Sequence, residues 1–149
     1  MTRVDFYLID HATDGSLDAA VCKLAHKAFR LGHRVYILTP DFTHAQRLDR
    51  LLWIFSPGSF IPHGLGTETA DTDMPVLIGY DEPPAAYEDV LIQLAPQVPE
   101  CFSRFQRVAE VVSGADEQRR LARERFRFYR DRGYTLQTHN ISAGDFVEA

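Results

Sequence analysis

A cluster of arginines near the C-terminus is the feature of this sequence best suited to binding a charged partner. Segment 117–132, EQRRLARERFRFYRDR, contains seven arginines, although the chain of 149 residues has a formal net charge of -5. A helix would place four of them within about 80° of one another: Arg119, Arg123, Arg127 and Arg130. Because guanidinium groups bind carboxylates through paired hydrogen bonds, this stripe, with Phe126 beside it, is predicted to bind an acidic peptide. The alternative is a solvated helix with ordinary charge pairs, such as Arg120 with Glu124.

Nucleotide chemistry has one candidate position, the first strand-to-helix turn, Asp10 to Ser16. The turn holds a single glycine and neither GxGxxG nor GK followed by Ser or Thr, so its backbone is not suited to cradling phosphate. Asp10 and Asp14 would also repel a phosphate group. The alternative function is a small α/β enzyme, dependent on nucleotide or metal, that uses this turn together with the loop from His63 to Asp73. In such an enzyme Asp10, His11 and Asp14 would supply the metal ligands.

Other catalytic or metal-binding patterns are missing from the sequence. Cys22 and Cys101 are far apart and form no CxxC pair, the histidines form no HxxxH or HExxH, and no GxSxG occurs. We therefore expect no cofactor, no metal ion and no catalytic residue, and interpret both cysteines as small apolar residues.

Composition suggests one globular domain over 1–149, with a polar tail from about 142–149. Hydrophobic residues make up 45% of the chain and charged residues 25%, enough for a core. No apolar run approaches the roughly 18 residues of a membrane span, and the N-terminus begins as an alternating strand and not as a signal peptide. We expect a cytoplasmic protein. Its acidity argues against extended contact with a phosphate backbone, although direct binding of single-stranded DNA by the arginine helix is a further alternative.

The first half of the chain alternates strands with helices. Hydrophobic periodicity predicts strands over 4–10 and 34–39 and helices over 17–31 and 42–55, with Gly32 ending the first helix. This order predicts right-handed crossovers and a largely parallel sheet between helices, which is a three-layer, Rossmann-like α/β fold without a glycine-rich nucleotide loop.

The second half is less regular. Segment 56–73 is predicted to be a loop that is either functional or partly mobile, and 75–80 and 89–95 are predicted to be strands. Segment 102–112 is ambiguous between helix and strand but favours a strand in its second half. The arginine helix should end at Gly133, and a last strand is predicted over 134–141.

Four sequence blocks resemble the chi subunit family of bacterial DNA polymerase III holoenzyme. They are FYLID near the N-terminus, RLDRLLW followed by SFIPHGL in the middle, and LARERFRFYRDRGY near the C-terminus. In this order and spacing the resemblance covers about 6–138.

The resemblance implies a non-catalytic accessory subunit of the clamp-loader complex in DNA replication. Such a subunit bridges the psi subunit, with which it forms a heterodimer, to the acidic, Phe-terminated tail of single-stranded DNA-binding protein. It touches DNA only indirectly. The tail-binding pattern of the family falls here on Val112, Arg119, Arg123, Phe126 and Arg127.

The resemblance also implies a role for each of these residues. Arg123 would hold the terminal carboxylate, a hollow near Val112 and Phe126 would take the aromatic ring, and the two outer arginines would attract upstream aspartates. The chain has Arg at 119 and 127 where lysines are familiar, and Phe at 126 where a tyrosine is familiar.

A second surface, for psi, is implied by a separate group of residues. Some relatives also receive a helicase at this face. The implied residues are Trp53, Phe60, Ile61, Pro62 and His63. The alternative for Trp53 is that it is the buried end of its helix, since an aromatic residue at helical spacing commonly belongs to the core.

Overall fold

A computed structural model describes residues 1–10, 14–54, 61–66 and 74–142. In this part of the chain the strands form one sheet in the order β3-β4-β2-β5-β6-β1-β7, and each neighbouring pair is parallel. The strands are β1 (Arg3–Ile9), β2 (Val35–Leu38), β3 (His63–Leu65), β4 (Val76–Gly79), β5 (Val90–Gln93), β6 (Arg107–Val112) and β7 (Thr135–Ile141). The helices are α1 (Asp14–Arg30), α2 (Phe42–Ile54) and α3 (Asp116–Asp131), with a short 3-10 helix at Glu100–Arg104.

Two apolar layers cover the faces of the sheet. Because side chains alternate along a strand, Ile9 of β1 packs with α1 and α2, whereas Phe6 of the same strand packs with Tyr129 of α3. The α/β fold with a parallel sheet between helices is therefore confirmed. Among the described residues no helix has the length and apolar character needed to span a bilayer.

Most predicted elements are present with shifted ends. Gly32 and Gly133 have φ values of 86° and 79°, the left-handed conformation that favours glycine at a helix end. The predicted loop over 56–73 was wrong in one part, because β3 lies inside it and pairs with β4. The three residues of β3, of which the middle one is a glycine, are too few to show an alternating pattern. The ambiguous segment 102–112 divides into the end of the 3-10 helix and β6.

A buried carboxylate joins α1 to α2. Asp18 lies within hydrogen-bonding distance of the His44 imidazole, at 2.9 Å, and accepts a hydrogen bond from Arg47 Nε at 2.6 Å. Burial alone would raise the pKa of Asp18, but the hydrogen bonds with His44 and Arg47 outweigh burial and lower this pKa below its ordinary value. The helix pair is thus held by charge as well as by apolar packing.

The path of α3 determines what lies beneath it. Strands β6 and β7 flank β1 on either side, so the chain must pass over β1 to connect them, and α3 makes this crossover. In the register of the sheet, Phe6 lies between Glu110 of β6 and Thr138 of β7. The even-numbered side chains of β1 therefore face α3.

Candidate functional site

A buried polar network anchors α3 to the sheet. Glu110 has no exposed surface, and its carboxyl group accepts hydrogen bonds from Arg125 Nε at 2.9 Å and the Tyr129 hydroxyl at 2.8 Å. Arg125 also donates to the carbonyl oxygen of Pro96 at 3.1 Å, and Gln93 Nε2 lies 3.3 Å from Glu110 Oε2. Burial raises the pKa of Glu110, and Arg125 and Tyr129 oppose this rise.

This anchor was missed at the level of sequence. Two signals were available: Glu110 interrupts the apolar strand RVAEVV, and 100° per residue places Arg125 on the same side of α3 as Ala122 and Tyr129. Because buried charges are normally paired, a buried Glu110 predicts a buried cationic partner, and a buried Arg125 predicts a buried anionic one. With Arg125 turned inward, the opposite side of α3 faces solvent.

The outward side of α3 carries two arginines whose charge is exposed to solvent. Arg123 and Arg127 are exposed, and within the described residues neither forms an ion pair or a hydrogen bond. In contrast, Arg120 pairs with Glu117 at 2.6 Å and with Glu124 at 3.3 Å, as the alternative interpretation expected for that residue. The charge of Arg123 and Arg127 is thus available to a bound anion.

Arg119 has a structural contact that its place in the stripe did not predict. Its Nη2 donates to the carbonyl oxygen of Ile9 at 2.7 Å, and its Nε donates to that of Ser113 at 3.1 Å. These carbonyl groups lie at the ends of β1 and β6. Arg119 therefore ties the start of α3 to the carboxyl ends of β1 and β6, while its charge remains beside Arg123 at the hollow. Arg130, the fourth arginine of the stripe, pairs with Asp131 at 3.1 Å.

A hollow of about 270 Å³ lies between α3 and the strands beneath it. Apolar groups dominate its walls, with two arginines at one side. The lining residues are Phe6, Leu8, Arg119, Ala122, Arg123, Phe126 and Thr138. The rings of Phe6 and Phe126 lie 5.4 Å apart between centroids. An apolar cavity of about 150 Å³ can hold a benzene ring, so this hollow can accept a phenyl side chain together with its carboxylate.

Three of the five predicted tail-binding residues line this hollow, and the other two do not. Arg119, Arg123 and Phe126 line the hollow, and Arg127 lies one turn beyond Arg123 on the exposed face. Val112 is only 2% exposed and does not line the hollow. Phe6, Leu8 and Thr138 were missed, since strand alternation shows that Phe6 and Leu8 share a face but not that α3 crosses it.

The predicted psi surface is only partly exposed. Trp53 has 57% of its surface exposed and Ile54 has 69%, so the alternative of a buried Trp53 was wrong. Ile61 and His63 are buried, and Pro62 is half-buried.

The ring of Trp53 packs at 4.9 Å from the imidazole of His63. The nitrogen atoms of His63 lie 2.7 Å from the carbonyl oxygen of Ile61 and 3.1 Å from that of Asp49. The backbone contacts thus hold the His63 ring in place, and this buried ring packs against that of the exposed Trp53. Phe60 lies outside the described residues.

The alternative enzyme site at the first turn also falls largely outside the described residues, because 11–13 are not included. In the part of the chain that is described, no three His, Cys, Asp or Glu side chains are grouped to hold a metal ion.

Comparisons with known proteins show the family to which this chain belongs. The sequence model of the family described as DNA polymerase III chi subunit, HolC, matches residues 1–137. DNA polymerase III subunit chi of Pseudomonas aeruginosa is 43% identical over 141 residues, covering 95% of this chain and 98% of the relative. The subunit chi of Escherichia coli K12 is 35% identical over 143 residues, covering 93% and 97%. That of Haemophilus influenzae is 28% identical over 137 residues, covering 91% and 95%. With a family match along nearly its whole length and relatives of this identity, the chain belongs to the DNA polymerase III chi subunit family.

Proposed function

We propose that this chi-family chain is a non-catalytic bridge in the clamp-loader complex, joining the psi subunit to the acidic C-terminal tail of single-stranded DNA-binding protein. The observation that carries the proposal is a pair of guanidinium groups of α3, Arg123 and Arg127, which have no partner in the part of the chain that the structure describes and lie beside a hollow with an apolar floor. The pairing of free positive charge with an apolar hollow fits a peptide that ends in an aromatic residue.

The end of such a peptide matches the hollow in size and in charge. Its phenyl ring would rest on Phe6 and Phe126, which lie 5.4 Å apart, and its terminal carboxylate would meet Arg123 at the wall. A charge-assisted hydrogen bond to a carboxylate is stronger than a neutral one. Arg123 therefore selects for the free chain end over an internal phenylalanine.

The upstream aspartates of the tail would meet the remaining positive charge of α3. Arg127 is exposed and available, whereas Arg119 is held by two backbone carbonyl groups and contributes a fixed charge. Because exposed ion pairs are screened beyond about 10 Å at 0.1 M salt, the affinity should be modest and should fall as salt is added.

The exposed end of α2 is the proposed psi surface. Trp53 offers a large ring supported by His63, and the exposed side chain of Ile54 follows it. Aromatic residues often supply the anchors of an interface. The tail-binding hollow lies under α3, which packs on the opposite face of the sheet from α2, so both partners can bind one chain at once.

Fluorescence anisotropy with a labelled acidic peptide ending in Asp-Pro-Phe tests the tail site. We expect Arg123→Ala to weaken binding by about tenfold, the loss of one charge-assisted hydrogen bond. Arg50→Ala, which removes the same charge from an exposed position of α2, should bind like the wild type. Amidation of the peptide's C-terminus should weaken binding to the wild type but have little further effect on Arg123→Ala. Equal binding by the two variants would remove the site assignment.

Co-purification with psi tests the second surface. Trp53→Ala should lose psi yet keep the peptide, and Arg123→Ala should lose the peptide yet keep psi. Phe42→Ala is the matched control, since it removes an exposed aromatic residue from the other end of the same helix. Retention of psi by Trp53→Ala would refute the psi surface and leave the tail site intact.

A further inference from the structure

A second charged cluster lies on the face of β1 that points away from α3. At its centre is Asp5, which has no exposed surface. Its carboxylate accepts a hydrogen bond from Arg107 Nε at 2.9 Å and lies 3.0 Å from His139 Nε2 and 3.4 Å from Arg3 Nη2. Burial would raise the pKa of Asp5, but His139 and the two arginines outweigh burial and lower it. Asp5 thus remains an anion that holds Arg3 and Arg107 in place.

Arg107 is fixed from two sides. Besides its contact with Asp5, its Nη2 donates to the Tyr7 hydroxyl at 3.1 Å, and the Tyr7 ring stacks on that of His139 with 4.7 Å between centroids. The Arg107 side chain is 42% exposed, and its Nη1 has no hydrogen-bond partner among the residues described. A guanidinium held in this way loses little conformational freedom when it binds an anion.

This cluster borders a cavity of about 260 Å³ between the sheet and the second half of α1. The apolar wall is formed by Leu24 and Ala28 of α1 and by Ile92 of β5, and the largely exposed Leu31 adds to it. The cavity lies toward the amino ends of the strands, since Arg3 and Arg107 begin β1 and β6. It is therefore separate from the hollow beneath α3.

The charge around this cavity is positive in a chain that is acidic overall. Arg3, Lys27 and Arg107 line it, and Asp89 is the lining carboxylate. Asp89 already accepts a hydrogen bond from the backbone N–H of Arg34 at 2.7 Å. Lys27 is exposed and has no ion pair within the described residues. An apolar wall with a cationic side is complementary to a molecule that combines an apolar body with an acid group.

We propose that this cavity binds a small amphipathic anion, with its acid group against Arg107 and Lys27 and its apolar body against α1. The acid can be a carboxylate or a phosphate ester, because a guanidinium binds both with the same two-pronged geometry. The proposal does not depend on the bridging function, since the two sites lie on opposite faces of the sheet.

Titration followed by amide NMR shifts tests the proposal with three small probes that share a phenyl ring. The probes are 3-phenylpropionate, phenyl phosphate and the neutral 3-phenylpropanamide. We expect saturable shifts centred on Tyr7, Lys27 and Arg107 with at least one of the anions, and much weaker shifts with the neutral amide. A response to only one anion identifies the acid group that is recognised.

Variants on α1 separate binding from folding, because they leave the contacts of Asp5 intact. Lys27→Glu should weaken binding of the anion by roughly fivefold, and Ala28→Trp should abolish it by filling the cavity. Arg30→Glu is the matched control, since it makes the same charge reversal on α1 at an exposed residue outside the cavity, and it should bind like the wild type. Absence of saturable shifts with all three probes, equal binding of the neutral amide, or equal weakening by Lys27→Glu and Arg30→Glu would overturn the proposal.

Discussion

Replacing Arg125 by methionine should destabilise the protein more than any change to the exposed arginines. The substitution keeps the apolar stem of the side chain but leaves the Glu110 carboxyl buried, with Tyr129 and Gln93 as its remaining partners. Breaking a buried pair by removing one partner costs about 3–5 kcal/mol. For a domain of this size, about 1 kcal/mol corresponds to roughly 2–4 °C in Tm. We therefore expect a decrease of at least about 6 °C.

The cost should depend on pH in a defined direction. Burial raises the pKa of Glu110 in the folded protein, and removal of Arg125 takes away a group that opposes this rise. An acid with a raised folded pKa contributes stability that is fully present below the unfolded pKa and is lost as pH rises through the folded pKa. The deficit of Arg125→Met relative to the wild type should therefore shrink as pH falls from 8 toward 5, because a neutral carboxyl group needs no cationic partner.

Urea unfolding followed by circular dichroism at several pH values measures this effect. A double variant, Glu110→Gln with Arg125→Met, should recover much of the free energy of unfolding lost in the single variant, because no buried charge remains. Arg123→Ala, on the exposed side of the same helix, should change stability by less than about 0.5 kcal/mol. A cost below about 1 kcal/mol for Arg125→Met, or the same cost at pH 5 and pH 8, would refute the assignment of Glu110 and Arg125 as a buried charge pair.

Three further predictions concern single residues. Asp18→Asn should lower the free energy of unfolding at pH 7 by about 1–3 kcal/mol. Because the pKa of Asp18 is lowered in the folded protein, this difference between the two proteins should shrink as pH falls below the unfolded pKa of about 4 and through the folded pKa. Acid titration of both proteins by circular dichroism measures it. Gly79→Ala should destabilise by about 1–3 kcal/mol in urea unfolding, because the added Cβ would overlap the Tyr36 hydroxyl. Gly15→Ala should not, because a Cβ at Gly15 meets no atom of another described element within 4 Å. Arg119→Lys should lower Tm because the two hydrogen bonds to backbone carbonyl groups are lost, and a Tm equal to that of the wild type would argue against these hydrogen bonds. In the anisotropy assay the same variant should bind the acidic peptide within about threefold of the wild type, because the positive charge remains.

Much of the fold could be predicted from local patterns. The 3.6-residue period of α1, α2 and α3 and the apolar runs of β2, β4 and β5 are properties of short segments, and the alternation of strands and helices implies a parallel sheet. The short strand β3 could not be predicted, because its three residues are held by pairing with β4 and not by their own pattern. The 3-10 helix has a similar origin, since it packs on α3 through Phe102.

The class of the fold and the presence of a helix with a stripe of arginines follow from local sequence patterns, because periodicity and charge are read along one segment. Which of these arginines are available to a partner depends on long-range contacts. Arg125 faces inward because Glu110 of β6 lies opposite, and Arg119 is held by carbonyl groups at the ends of two strands, whereas Arg123 and Arg127 remain unpaired among the described residues. The hollow beside them has the same origin: its floor comes from β1, more than a hundred residues before α3, and the two meet because the chain must cross β1 to join β6 to β7.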